Sequence, residues 1–223
     1  MPASAVLFSG GLDSAVLLAL ELDDHSPVWP IHVRAGLAWE DAEARTIARL
    51  LAAAPFARRA QAPATLTVDM RDVYPPAHWA VRGTPPAYDT PDEDVYLEGR
   101  NIVLIAKAAV WSARQNVERL VIGPLMGNPF PDATPEFFTT MARAMSLGLG
   151  KPFSVAAPLA TMHKEDVIRL GAARQVPLEL TLSCMNPQHD RHCGLCSKCR
   201  ERQDAFSMAG VEDRTVYDAE WKT

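Results

Sequence analysis

The sequence predicts an α/β protein: a mostly parallel sheet with helices on both faces, ending in a cysteine-rich knot. Three observations carry that expectation. Apolar segments of strand length alternate along the chain with segments of helical period. A Gly-Gly turn joins the first strand segment to the first helical one. All four cysteines fall within sixteen consecutive residues, 184–199.

Residues 5–8 form a short apolar run that stops at the glycine turn, and residues 14–22 continue as a helix. Residues 28–34 read as the second strand. Residues 40–54 read as a helix because Ile47, Leu50, Leu51 and Ala54 recur at i, i+3, i+4 and i+7. Residues 65–70 alternate as a strand. Residues 101–116 form a long, mostly buried helix, followed by a strand at 119–123. Residues 135–147 are helical, with Pro135 suited to the first turn. Residues 153–157 are the fifth strand, and 162–175 and 198–208 the last two helices. Strands separated by helices need crossover connections, so the sheet is expected to be parallel. Ligands of such sheets bind beyond the carboxyl ends of the strands, where the turn after Phe8 falls.

Two stretches break this rhythm. Residues 72–98 hold five prolines and an acidic run from Asp89 to Asp94, and residues 124–135 hold Gly127, Pro129 and Pro131. Such loops are lids or binding loops, or, for 72–98, a disordered surface excursion. The chain is expected to divide into an α/β domain at 1–180 and a metal-binding segment at 181–223 packed on it.

Composition narrows the function. The 223 residues are 48% apolar and 22% charged, as in an ordinary soluble protein, with a formal net charge of −5. No global basic field attracts nucleic acid, which weighs against a tRNA or DNA substrate. The opening residues lack the basic-then-apolar pattern of a secretory leader, and no apolar run is long enough to cross a bilayer. A cytoplasmic location and no membrane partner are expected.

The turn reads Ser9-Gly10-Gly11-Leu12-Asp13-Ser14. Paired glycines permit positive φ and a close backbone approach. The amides that open the following helix, with its dipole, favour an anion. Asp13 beside a phosphate calls for a bridging Mg²⁺. No lysine follows, so this is not the kinase-type phosphate loop, and no third glycine makes it a dinucleotide fingerprint. The cysteines Cys184, Cys193, Cys196 and Cys199 suit one tetrahedral zinc ion in a closed, structural site. An iron–sulfur cluster is the chemical rival. Zinc is preferred because nothing else in the chain points to electron transfer. His189 and His192 fall within the loop and are read as solvated. Arg191, Lys198, Arg200 and Arg202 flank the cluster and are read, for the most part, as a solvated helix face.

The hexapeptide resembles the signature of the N-type ATP pyrophosphatases, the PP-loop superfamily with a Rossmann-like, adenine nucleotide alpha hydrolase-like fold. Joined to the cysteine cluster, it makes the chain similar to the 7-cyano-7-deazaguanine synthase family. Leu182-Ser183-Cys184 and the segment from Cys193 to Arg202 resemble that family's tail, and Ala157-Pro158-Leu159 and Lys164 to Gly171 its preceding strand and helix. Gly99-Arg100-Asn101 resembles the opening of its middle helix, and Pro131-Asp132 through Glu136-Phe137 its substrate-side loop.

The resemblance implies ATP-dependent conversion of 7-carboxy-7-deazaguanine and ammonia, through an acyl-adenylate and an amide, to a nitrile on the queuosine route. It implies pyrophosphate on residues Ser9 to Ser14, with Asp13 and Lys164 catalytic. Arg100, Asn101, Asp132 and Glu136 become substrate-side candidates, and a homodimer is implied. The residues alone also allow Lys164 to be an exposed lysine of a first helical turn, Asp132 a loop acid, and Glu136 an acid favoured by a helix dipole.

One departure stands out. Where the family carries a Tyr-Gly-Gln-like segment, this chain has Ala35-Gly36-Leu37 within residues 34–40. It leaves open an amide product or a conjugate with another amine. A thiolating relative needs a reactive cysteine, and all four are committed to the metal. A glutamine-dependent relative needs a second domain to release ammonia. A non-catalytic zinc module leaves the glycine turn unexplained.

Overall fold

The structure is a computed structural model that describes residues 1–219. Residues 220–223, the end of the expected 181–223 segment, lie outside the described residues. Five parallel strands form one sheet: β1 (Ser4–Leu7), β2 (Val28–Arg34), β3 (Ala64–Thr67), β4 (Arg119–Val121) and β5 (Ser154–Ala156), in the order β3-β2-β1-β4-β5. All four pairings are parallel, and β1 is central, with Ser4 to Leu7 in register with Val28 to Ile31. The strand order reverses at β1, so the turn after Phe8 stands at the switch point where such sheets bind ligands.

Alternation along β1 explains the two layers. Val6 and Phe8 face one side, where they join α1 (Leu12–Asp24), α2 (Glu40–Ala52), α6 (Lys164–Ala173) and α7 (Ser197–Ala209) through Leu17, Ile47, Leu50, Ile168 and Phe206. Ala5 and Leu7 face the other, against Leu104, Ile105 and Ala108 of α4 (Arg100–Arg114) and Phe138 of α5 (Pro135–Leu149). Thr134 caps α5 by accepting from the Phe137 amide, and Pro135 occupies its first turn. β3 is displaced from the expected 65–70 because β2 ends at the tight turn at Gly36. Beyond Thr67 the chain follows that turn through Val68 N donating to Arg34 O and Met70 N to Ala35 O.

A third apolar cluster decides between the two readings of residues 72–98. Tyr74, Ala80, Val95 and Leu97 are buried against Leu182, Met185 and the four cysteines, so this stretch is folded onto the knot. It contains the four-residue helix α3 (Trp79–Arg82), too short to leave a periodic signal, and a 3₁₀ turn at Asp92–Val95. Tyr88 donates to Gln203 Oε1 and Arg200 to Thr90 O, which ties the stretch to α7.

Arg202 corrects the solvated-face reading. It is fully buried. Its guanidinium donates to Thr181 Oγ1 at 2.9 Å, Ser183 Oγ at 3.1 Å, Leu178 O at 2.7 Å and Thr215 Oγ1 at 2.9 Å. It also lies 5.0 Å from the centre of the Phe206 ring. Arg191 alone of the four flanking bases is exposed.

Arg202→Ala strands these buried acceptors. It is expected to cost about 3 kcal/mol or more in urea denaturation; a loss below about 0.5 kcal/mol, the size typical of a surface substitution, would show that the guanidinium is not a buttress.

Candidate active site and metal centre

Gly10 takes φ +77°, and a Cβ there would meet Thr46 Cγ2 at 3.0 Å. Gly11, in extended backbone, is the N-cap of α1. Its amide donates to Ser9 Oγ at 3.2 Å, and Ser14 Oγ donates back to Gly11 O at 3.0 Å. The Leu12 side chain is buried in the core, so Leu12 offers the turn only its amide. The C-terminal segment also grips the turn, since Leu182 N donates to Gly10 O at 2.9 Å. The result is a rigid cradle of helix-end amides, the arrangement that holds an anion.

Asp13 projects from the first turn of α1 with two unlike oxygens. Oδ2 pairs with Lys164 Nζ at 2.9 Å. Oδ1 is buried and has no hydrogen-bond partner. A buried carboxylate oxygen without a donor suits a divalent cation. Lys164 Nζ also lies 3.0 Å from Glu201 Oε1, and Lys198 Nζ lies 2.5 Å from Glu201 Oε2. Burial opposes the Lys164 charge, but Asp13 and Glu201 outweigh it and hold the ammonium above the usual lysine range. Burial likewise opposes the Glu201 charge, while Lys164 and then Lys198 bring its carboxyl down to about 2. The lysine is therefore a fixed cation at the mouth of the turn, not a loose surface side chain.

Two cavities meet at this point, sharing Ser9, Gly11, Asp13, Glu43 and Arg100 in their walls. One, of about 260 Å³, runs over the strand ends between Ile31, His32, Val33 and Asn101. The other, of about 470 Å³, opens between Trp39, Trp79, Lys164, Ser183 and Glu201. The 124–135 loop lines both through Pro124, Asn128 and Phe130. Arg100 Nε is buried and unpaired. Asn101 lines the smaller cavity. Asp132 is buried behind it, accepting from the Asn101 amide at 3.0 Å while Asn101 Nδ2 donates to Asp132 O at 3.0 Å. Burial pushes the Asp132 carboxyl up, and the Asn101 amide partly offsets this. Glu136 is exposed in the first turn of α5 and lines neither cavity.

Sequence reasoning missed the wall residues Trp39, Glu43 and Trp79, and the buried Glu40 next to Trp39. Glu43 is buried and pairs with His32 Nε2 at 3.0 Å. Glu40, also buried, accepts from the Ala35 amide at 2.5 Å and the Gly36 amide at 3.0 Å, closing the turn at residues 34–40. The signal was available: Glu40, Glu43, Ile47 and Leu50 share one helical face, and acids on an apolar stripe ask for a reason. Gly36 takes φ +88° and preserves a tight turn there. Trp39 stacks on Trp79 with centroids 5.8 Å apart. That partner sits forty residues on, in a stretch with no period.

The four cysteines are all buried, and their Sγ atoms lie within 4.8 Å of one another. Sγ separations of 3.5 Å (Cys196 to Cys199), 3.9 Å (Cys193 to Cys199) and 4.0 Å (Cys196 to Cys184) bracket the roughly 3.8 Å edge of a tetrahedron of thiolates about 2.3 Å from one ion. The site fits a single metal ion. Backbone amides of Asn186 and Leu195 donate to the sulfurs of Cys184 and Cys193. His189 is exposed as expected, but His192 is buried and not solvated. It is no ligand, because its Nε2 accepts from the Ser183 amide at 3.0 Å. Burial, with Arg202 nearby, lowers its pKa to about 3, so the ring is neutral.

Parallel sheet, glycine turn and clustered cysteines define an α/β protein of the PP-loop, adenine nucleotide alpha hydrolase-like type. Solved structures of this fold include a predicted subunit of tRNA methyltransferase from Methanocaldococcus jannaschii, with TM-score 0.51 and 14% identity over 77% of this chain and 74% of that one. The U34-tRNA thiolase NcsA from Methanococcus maripaludis gives TM-score 0.50 and 14% identity over 93% and 66%. At that identity the likeness concerns the fold alone.

Residues 3–210 match the family described as queuosine biosynthesis protein QueC, and the chain belongs to that family. It is 32% identical to the 7-cyano-7-deazaguanine synthase of Azoarcus sp. (strain BH72) over 98% of each chain. It is 32% identical to that of Methanothrix thermoacetophila over 97% of this chain and 99% of the relative. The enzyme of Xanthomonas campestris pv. campestris (strain B100) is 33% identical over 97% and 98%. Among the described residues no helix is long and apolar enough to cross a membrane.

Elemental analysis of the purified protein is expected to give one tightly held ion per chain. Cys199→Ser should lose that ion and lower the melting temperature. Full metal content in the variant would remove Cys199 from the ligand set.

Proposed function

We propose that this chain catalyses the ATP-dependent conversion of 7-carboxy-7-deazaguanine and ammonia to 7-cyano-7-deazaguanine. The observation that carries the reading is the Asp13–Lys164 pair at the helix-end turn, in the wall of a cavity large enough for a nucleotide. Names and full-length coverage of the relatives point to the product. The relatives carry that one name over nearly the whole chain, so an amide or conjugate product is not favoured.

The residues support a sequence of charge-handling steps. The substrate carboxylate attacks the α-phosphorus of ATP, and the bond to pyrophosphate breaks. Helix-end amides at Leu12 and Asp13 receive the charge gathering on the leaving group. Asp13 Oδ1 is the oxygen offered to Mg²⁺, which neutralises that charge when bound. Lys164 is a cation for the α-phosphate. Arg100, with its unpaired buried Nε, is the donor assigned to the substrate carboxylate, and Asp132 serves by holding Asn101 in the first turn of α4. Glu136 is given no part. Ammonia then attacks the acyl carbon, AMP leaves and a proton is lost, giving the amide. The amide oxygen then attacks the α-phosphorus of a second ATP, the bond to pyrophosphate breaks, and loss of AMP and both amide protons leaves the nitrile.

The ion on the cysteines is assigned as zinc. Sulfurs this close suit one tetrahedral ion, whereas a cubane cluster binds each thiolate to a different iron and needs them further apart. Four thiolates leave no open position, so its role is structural.

Incubation with 7-carboxy-7-deazaguanine, ammonium, ATP and Mg²⁺ is expected to yield the nitrile and AMP by mass spectrometry. Unchanged acid would refute the substrate. Asp13→Ala should cut AMP formation by about a hundred-fold or more while the cysteine-bound metal stays in place. Retained AMP formation would remove Asp13 from the chemistry.

A further inference from the structure

Glu201 connects the two ends of the site. It stands on α7, two residues beyond Cys199, on the helix whose N-cap is Cys196. Lys164 Nζ lies between Asp13 Oδ2 at 2.9 Å and Glu201 Oε1 at 3.0 Å, and Glu201 Oε2 takes Lys198 at 2.5 Å. Anion and cation thus alternate from the turn to the knot.

The two duties assigned to this pair conflict. A cation at Asp13 competes with Lys164 for the carboxylate. Lys164 cannot leave Asp13 for a phosphate unless its charge stays compensated in a partly buried place. Glu201 removes the conflict, because it pairs with the ammonium through a second carboxylate at 3.0 Å, separate from Asp13. We infer that Glu201 is a positioning residue for adenylation: it keeps Lys164 paired while that lysine turns from Asp13 to the phosphate, which leaves both Asp13 oxygens to the cation. This rests on the reading of the turn as the Mg²⁺–ATP site. Without Glu201, Asp13 is the lysine's only carboxylate among these contacts, and every Mg²⁺ that binds must break that pair. The effect is therefore specific to the metal-bound nucleotide. ATP without Mg²⁺ leaves the Asp13–Lys164 pair alone and meets one negative charge fewer.

Calorimetric titration with α,β-methylene ATP, with and without Mg²⁺, separates the possibilities for wild type, Glu201→Gln and Glu201→Asp. Glu201→Gln is expected to bind the Mg²⁺ complex about ten-fold more weakly and the metal-free analogue equally or more tightly. Its knot metal content should match wild type, while its melting temperature falls by a few degrees as the pairs with Lys164 and Lys198 are lost. Glu201→Asp, which keeps the charge, should recover part of the Mg²⁺-dependent affinity. Equal losses with and without Mg²⁺, or loss of the knot metal, would mark a merely structural residue and overturn the inference. Unchanged affinity in Glu201→Gln overturns it while leaving the ATP site intact. A wild type that does not bind the Mg²⁺ complex overturns the functional reading and this inference with it.

Discussion

The site depends on one buried guanidinium. Arg202 lies on α7 yet spends its hydrogen bonds on residues 178–183 and on Thr215. Those bonds fix the strand-like segment that carries Leu182 to Gly10 and Ser183 to His192. They also fix the rotation of α7, and so the direction in which Glu201 meets Lys164. A charge with no water must have all its donors met, and that demand is stricter than apolar packing, which tolerates small shifts. Arg202 thereby supplies the orientation that the apolar contacts of Phe206 and Ala205 alone would leave loose.

The frame of the molecule was legible because it is made of periodic segments. Four strands and the longer helices appear where alternation and helical spacing put them, since both faces of a parallel sheet must be covered by apolar stripes, and β3 overlaps its expected range but stops at Thr67. The glycine turn and the cysteine cluster were legible for another reason. Their chemistry depends on contiguous or closely spaced residues, so the pattern is written locally in the chain.

What was not legible depends on distant partners. Trp39 and Trp79 form one stack, but neither lies in a pattern that names the other. Asp132 reads as a loop acid until Asn101 is seen beside it. Arg202 and Glu201 look like charges on a solvated helix, and only the packing of α7 on α6 reveals one as a buttress and the other as a link. Residues 72–98 have the composition of a disordered stretch, yet Tyr74, Ala80, Val95 and Leu97 are enough to anchor it on the knot. A few anchors at irregular spacing leave no period to detect.

The hydrogen bond from Leu182 to Gly10 has a consequence for how the protein is made. The five strands are complete by Ala156, so a nascent chain can assemble its sheet early, in the order in which domains usually fold during synthesis. The turn at residues 9–14 is translated first of all the functional parts, but its brace and the partner of its lysine come from residues 182 and 201. A ribosome-bound chain therefore carries a finished scaffold with an unbraced glycine turn. The turn is braced only once residues 182 and 201 have emerged and closed back on it.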